Sequence, residues 1–442
     1  MWTWLRLLTG AGGGDSAAAV REPRRCERLL LLLSGLYLLV GAAADYLLHP
    51  GAAGTKALLG ALITVLAFMA VNFYWHWSGF RGDPFLLPLV AVFSATSLVF
   101  LYRLNPFYAW RQFAWLMAGL LVMVLVTRLL HDYRLLAEYK YIYAVTGVVA
   151  LVLPIFFGVE QGGARSWLNL AVFQVQPSEF VKILLVLFLA AFLSENRLLL
   201  REGTRSVLGV SLPGPQEWGP LLGMWAISLL LLIFQKDLGT ALIYFGTFLA
   251  MVYISTSRLA YVFSGLLLFL AGAAGSYRLF GHVRERVEVW LDPWRYVETA
   301  GYQVVQSLFA LAAGGLTGTG LGAGHPGFIP AVHTDFIFSA VTEELGLFGG
   351  VGIILLYMFF VYRGFRIALS ARDDFAALLA AGLTALMGLQ AFIIIGGVTK
   401  LLPLTGVTLP FMSYGGSSLV ANFIILGLLL IISHETGESH AG

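Results

Sequence analysis

Twelve separate apolar runs constrain this chain more than any other feature. They lie at 29–48, 57–77, 84–104, 112–130, 141–158, 180–196, 219–235, 238–255, 258–280, 346–365, 375–397 and 416–434. Each can cross about 30 Å of hydrocarbon as a helix. In lipid a spanning segment must satisfy its own backbone amides, which runs of this length do only as helices. The expected fold is therefore an all-α polytopic membrane protein. Composition agrees: the chain is 59% hydrophobic and 12% charged, with a mean hydropathy of +0.84, whereas soluble domains carry roughly 25% charged residues.

Basic residues set the orientation. With the N-terminus in the cytoplasm, the inner loops carry Arg128/Arg134/Lys140, Arg197/Arg201/Arg205 and Arg363/Arg366/Arg372. The alternate loops mostly carry one or two, such as Lys56, Lys236 and Lys400. Both termini are thus expected to be cytoplasmic, and segments 159–179, 281–345 and 398–415 to face outward together. The first run has a basic flank and the stretch Ala42-Ala43-Ala44, features of a signal peptide. It continues past the alanines and further spans follow, so a retained anchor is expected. A net charge of +3 with no basic run excludes a nucleic-acid partner. The single Cys26 excludes an intrachain disulfide and a cysteine metal site. No repeat of 20–50 residues appears, which weighs against an inverted-repeat transporter.

Polar residues kept beside apolar runs are the functional candidates. Asp335 stands between His333-Thr334 and Phe336-Ile337-Phe338 at the end of the longest non-spanning segment; an ordinary interfacial carboxylate capping the next helix would account for it equally. In Gln174-Val-Gln176-Pro177-Ser178-Glu179-Phe-Val-Lys182, Ser178 reads as a helix start. Capping does not explain Lys182, one turn inside an apolar helix, where it can pair with Glu179 at i, i+3 and face a cavity. Asp237, in Gln235-Lys236-Asp237-Leu-Gly239-Thr240, either caps the following helix or points into that same cavity. Gly314-Gly315-Leu-Thr-Gly318-Thr-Gly320-Leu-Gly322-Ala-Gly324 has the look of a dinucleotide loop but follows no strand, so a close-packed loop is expected. Within 281–345, the apolar spacing after Tyr302 suits a short helix against the membrane surface. The stretch from Lys400 through Pro403, Pro410, Ser413 and Gly415-Gly416 breaks the helix at membrane depth, which is tolerated only inside protein or beside a watery cavity.

These motifs, taken in order, resemble the SEDS family (shape, elongation, division and sporulation proteins, of RodA, FtsW and SpoVE type). The matching stretches are G-A-R-S-W-L-N-L with Q-P-S-E-F-V-K, then Q-K-D-L-G-T, G-Y-Q-V-V-Q-S, H-T-D-F-I-F with E-E-L-G, and L-P-F-M-S-Y-G-G-S-S. The resemblance covers residues 84–434, the family's ten-span core. That core contains the extracytoplasmic catalytic loop at about 281–345; outside it stand a cytoplasmic tail at 1–28, two extra spans within 29–83 and a second cytoplasmic tail at 435–442. Lys236 departs from the family, which commonly has proline there.

The resemblance implies a peptidoglycan glycosyltransferase of the bacterial cytoplasmic membrane, polymerising lipid II during elongation or division. It implies Asp335 as general base, its carboxyl raised by apolar neighbours. Arg165, Lys182 and Lys400 become candidates for pyrophosphate or donor contact, with Ser413 a further substrate contact. Glu179 and Asp237 would organise the cavity or hold a divalent cation, Mg or Mn. A class B penicillin-binding transpeptidase is the implied partner. A lipid II flippase and a non-catalytic scaffold are the competing readings. A flippase needs access from both sides, whereas the polar motifs cluster on one; a pure scaffold has no need of Asp335.

Overall fold

In the computed structural model, the described residues are 16–48, 51–130, 132–161, 164–170, 173–197, 205–207, 210–212 and 215–438. Gly163, which opens the G-A-R-S-W-L-N-L stretch, and Arg201 lie outside them, as do 1–15 and 439–442 of the two tails. The helices in chain order are α1 Ser16–Leu48, α2 Ala52–Trp77, α3 Leu86–Leu104, α4 Pro106–Leu129, α5 Lys140–Phe157, α6 Pro177–Glu195, α7 Pro215–Phe234 and α8 Leu238–Thr256. They continue as α9 Leu259–Leu279, α10 Gly281–Leu291, α11 Tyr302–Gly314, α12 Ile337–Ser370, α13 Asp374–Val398 and α14 Gly416–Glu438. Among the described residues, eleven helices are long and apolar enough to cross a membrane. The remaining expected run, 219–235, is helix α7, whose described apolar part is Trp225–Phe234. The chain is a multi-pass membrane protein.

Local chemistry sets the helix ends. Asn105 caps α4 by accepting from Phe107 N at 2.9 Å, with Pro106 in the first turn, so this helix starts well before its apolar run. Asp373 caps α13 from Ala376 N at 2.8 Å, and Asp237 caps α8 from Thr240 N at 3.1 Å. Ser178 caps nothing: Gln176 occupies the cap position of α6 and Ser178 lies inside the helix. The cap position of α12 is Phe336, with no side-chain cap bond.

Helices α3, α6, α13 and α14 are largely buried and form the centre of the bundle. By contrast, α9 buries none of its residues, although it is apolar throughout. A helix with that composition is stable only where its surroundings are apolar, as lipid is. The extra pair α1 and α2 packs together and against α3. Gly35 and Gly41 let α1 approach Val65 and Val99 closely. At one end Arg24 bonds Glu27 and the Phe80 carbonyl, and Arg28 donates to Asn72 at 3.1 Å.

Helix α12 begins nine residues before its apolar run and breaks at Gly346, where φ is 69°. The glycine loop after α11 fills the break. Thr319 N and Gly320 N donate to the Glu343 and Glu344 carbonyls at 3.0 and 3.1 Å, and Leu347 N donates back to Gly315 O at 2.9 Å. A Cβ on Gly318 would stand 2.1 Å from the Glu344 carbonyl, so only glycine permits this backbone contact. Arg103 of α3 fastens the loop through Glu344 and the Gly324 carbonyl. Helix α11 packs against α12.

Segment 399–415 is irregular yet well satisfied. Gln390 Nε2 donates to Thr408 O at 2.8 Å, Gln112 Nε2 to Ser413 O at 3.1 Å, and the Tyr357 hydroxyl to Pro410 O. Side chains of spanning helices thus replace the hydrogen bonds that a continuous helix would have made. A small antiparallel sheet, β1 Val159–Gln161, β2 Ala164–Leu170 and β3 Phe173–Val175, precedes α6. It touches the α7–α8 turn through Arg165 N to Gln235 O at 3.1 Å.

Candidate active site

The segments 159–179, 235–240, 281–304, 331–335 and 397–416 meet at one end of the bundle around a cavity of about 890 Å³. Asp335, Glu179, Asp237 and Lys400 all line it. Burial pushes the Asp335 carboxyl up to about 6, against the Thr334 hydrogen bond and the Arg286 charge, which favour ionisation. A Cβ on Gly406 would lie 3.4 Å from Asp335 Oδ2, so the irregular segment passes directly beside the carboxylate. The Asp335 backbone is pinned from that same segment. Tyr414 N donates to His333 O at 2.8 Å, and the Ser413 hydroxyl donates to Thr334 O.

Asp237 is both cap and cavity wall. Its Oδ2 accepts from Thr240 Oγ1 at 2.9 Å and from Gln176 Nε2 at 3.1 Å. Burial pushes its carboxyl up, the Thr240 bonds oppose the rise, and the Glu179 charge adds to it. Lys182 stands behind the wall. Its ammonium donates to Glu179 Oε2 at 2.5 Å, Gln390 Oε1 at 3.0 Å and Asn422 Oδ1 at 3.2 Å, all buried. Ser413 is buried behind the wall too, and Arg165, exposed, donates from Nε to Gly158 O at 3.0 Å away from the lining.

Several wall residues went unassigned in the sequence. Arg286 and Trp290, four apart on α10, share the face turned to the cavity. Arg286 Nη1 donates to Leu404 O and Thr405 O at 3.3 and 3.0 Å, and Trp290 Nε1 to Lys400 O at 3.2 Å. That i, i+4 pairing inside a charged helix is the signal that could have found them. Lys236 lines the cavity with φ 61°, a backbone closed to proline, and Lys400 does so with φ 60°. Such conformations cost energy in a non-glycine residue and gather at functional sites.

A pair of carboxylates on a shared wall suits a hard divalent cation, which takes one or two carboxylates and completes its shell with water and phosphate oxygens. Glu179 and Asp237 share this wall, where Glu179 Oε2 also meets Lys182 and Asp237 Oδ2 meets Thr240 and Gln176. Among the described residues no cluster of three or more His, Cys, Asp or Glu side chains forms a closed metal cage.

A family model described as cell cycle protein, of FtsW, RodA and SpoVE, matches residues 83–438. The chain belongs to the FtsW/RodA/SpoVE family. Within it, the peptidoglycan glycosyltransferase RodA of Mycobacterium leprae is 44% identical over 411 residues, covering 85% of this chain and 88% of that one. RodA of Mycobacterium tuberculosis H37Rv is 46% identical over 365 residues, covering 80% and 78%. Stage V sporulation protein E of Bacillus subtilis is 36% identical over 352 residues, covering 78% and 92%. Among solved structures, a peptidoglycan synthase complex coordinating polymerisation and crosslinking contains a chain that matches at TM-score 0.68 and 30% identity, covering 80% of this chain and 98% of that one. The rod shape determining protein RodA of Thermus thermophilus matches at TM-score 0.57 and 28% identity, covering 80% and 97%. The family match thus spans α3 to α14 and every wall of the cavity, and leaves α1 and α2 outside it.

Proposed function

We propose that this chain is a peptidoglycan glycosyltransferase that polymerises lipid II at the outer face of the bacterial cytoplasmic membrane, with both termini cytoplasmic. Support comes from the relatives named for that activity at 44–46% identity. The observation that carries the reading is Asp335, whose carboxyl is raised to about 6 in a polar cavity within a membrane protein. A base of that strength is largely ionised at neutral pH and still has an appreciable pull on a hydroxyl proton.

In the reaction the acceptor sugar's 4-hydroxyl oxygen bonds to the donor's anomeric carbon, and Asp335 takes the hydroxyl proton. The bond from that carbon to the lipid pyrophosphate oxygen breaks with its electron pair, so the configuration inverts. Lys236, Arg286 and Lys400 on the wall oppose the charge of the departing pyrophosphate. Glu179 and Asp237 would hold a Mg or Mn ion, which supplies further positive charge to the pyrophosphate when bound. Lys182 fixes Glu179 on the wall, and Ser413 fixes the backbone before Asp335. Arg165 belongs to the sheet at the cavity's margin, where an incoming lipid pyrophosphate would first meet the protein. The proposed partner is a class B penicillin-binding transpeptidase, supported by likeness to the chain in the synthase complex.

Purified wild type and Asp335→Asn, each with and without that transpeptidase, are given lipid II, and glycan strands are resolved on a gel. Strands from wild type and none from the folded variant are expected. Equal product from both removes Asp335 from the chemistry; no product from wild type with its partner overturns the glycosyltransferase reading.

A further inference from the structure

Three aromatic rings from three distant segments meet on the cavity wall beside Asp335. Tyr108 comes from the first turn of α4, His333 from the turns before α12, and Tyr414 from the irregular segment before α14. The Tyr108 and His333 rings are parallel, 8° apart, with centroids at 4.2 Å. Tyr414 closes the group at 4.9 Å from Tyr108 and 5.9 Å from His333. All three are half-buried and all three line the cavity, so the cluster is not a sealed core contact. Its place is fixed by backbone as well, since Tyr414 N is bonded to the His333 carbonyl. His333 is two residues from Asp335, and both sit on one pinned turn.

We propose that Tyr108, His333 and Tyr414 form the platform on which the acceptor saccharide stacks, presenting its hydroxyl to Asp335. The inference rests on the glycosyltransferase reading above. A pyranose ring has an apolar face of C–H groups, weakly positive, which suits the negative face of an aromatic ring. Its hydroxyls and acetamido group project from the rim, where they need polar partners. The platform has such a rim: Arg111, one turn beyond Tyr108, lies with its guanidinium 5.6 Å over Phe107 and also lines the cavity. Burial holds His333 below its ordinary value, so the imidazole stays neutral and stacks as an uncharged ring at working pH. Placement decides between acceptor and donor. The base must reach the acceptor hydroxyl, and the platform is tied to the base's own turn. The cations Arg286 and Lys400, by contrast, come from α10 and from the far end of the irregular segment, just after α13.

The platform is tested on the full-length chain in detergent with two readouts. The first is saturation-transfer NMR with the soluble disaccharide of N-acetylglucosamine and N-acetylmuramic acid, on wild type, Tyr108→Leu and Tyr108→Phe. Transfer to the ring C–H protons of one sugar is expected in wild type and in Tyr108→Phe, and should fall severalfold in Tyr108→Leu. The second is the steady-state rate with lipid II. Tyr108→Leu should raise KM about tenfold with kcat nearly unchanged, the size expected for one lost aromatic stacking contact. Tyr108→Phe, which keeps the ring, should return KM to near the wild-type value. Absence of saturation transfer in wild type, or equal transfer in wild type and Tyr108→Leu, overturns the platform. So does a Tyr108→Leu variant that loses kcat alone. If wild type fails to polymerise lipid II, the glycosyltransferase reading falls, and the disaccharide measurement still decides whether the rings bind a saccharide.

Discussion

Lys182 Nζ lies 2.5 Å from Glu179 Oε2, one helical turn away, the ammonium buried behind the cavity wall that Glu179 lines. The ammonium's other two donors go to Gln390 and Asn422, which tie α6 to α13 and α14. Removing the cation leaves a buried carboxylate with no counter-charge. Lys182→Met is expected to cost about 3–5 kcal/mol, because breaking one half of a buried pair strands the other. Thermal unfolding in detergent measures it. Adding Glu179→Gln to that variant should recover much of the loss, and an unchanged midpoint in Lys182→Met would show the pair to be idle.

As the proposed base, Asp335 would tie activity to instability. Its folded carboxyl titrates near 6, above its ordinary value of 3.8. At pH below the unfolded value both states are protonated and there is no penalty. Between the two values the unfolded chain ionises first, so stability falls as pH rises, and above 6 the penalty is complete. Asp335→Asn escapes it. The variant should be more stable than wild type at pH 7.5 by on the order of 2–3 kcal/mol, and equal to it below about pH 3. Its rate should drop by about 10²–10⁴, the usual worth of a positioned base. Thermal melts at the two pH values, beside a polymerisation assay, would show both effects or neither.

The spanning helices were legible in the sequence because lipid demands long apolar runs, and such runs survive any ambiguity about neighbours. What hydropathy cannot reveal is helix hidden inside protein. Residues 337–345 are helical with Glu343 and Glu344 buried: Gly322 N and Arg103 engage Glu344, and His325 N donates to Glu343, all from outside the segment. Glu179, Asp237, Asp335 and Lys400 stood out as polar groups beside apolar runs, and the fold gathers them at one cavity. The surroundings of Lys182 were not legible, since Gln390 and Asn422 are more than 200 residues away in the chain. Arg286 was hidden for a different reason: in a helix already rich in charge, only its i, i+4 spacing from Trp290 set it apart from the other arginines.

Arg286 opposes the rise in the Asp335 carboxyl by its charge while bracing the Leu404 and Thr405 carbonyls. Arg286→Met should therefore move the acid limb of the pH–rate profile to higher pH. Arg286→Lys, which keeps the charge but loses the planar fork, should leave the limb in place while weakening the brace. An acid limb at the same pH in the Met variant would detach Arg286 from the base.

Ser413 holds the turn that carries Asp335. Its hydroxyl donates to the Thr334 carbonyl and accepts from Leu409 N at 2.8 Å, so one buried oxygen joins the two segments that enclose the carboxylate. Ser413→Ala leaves a carbonyl and an amide without partners, a loss of about 1–3 kcal/mol. The Tyr414–His333 backbone bond remains, so the turn should stay folded but sample more positions. A base that samples more positions is in line with the acceptor hydroxyl less often. The expected outcome is a lower kcat with KM for lipid II and the acid limb of the pH profile both unchanged. That pattern separates loss of alignment from loss of the base, which abolishes the limb, and from loss of a substrate contact, which raises KM. A raised KM in Ser413→Ala would place its hydroxyl against the substrate instead.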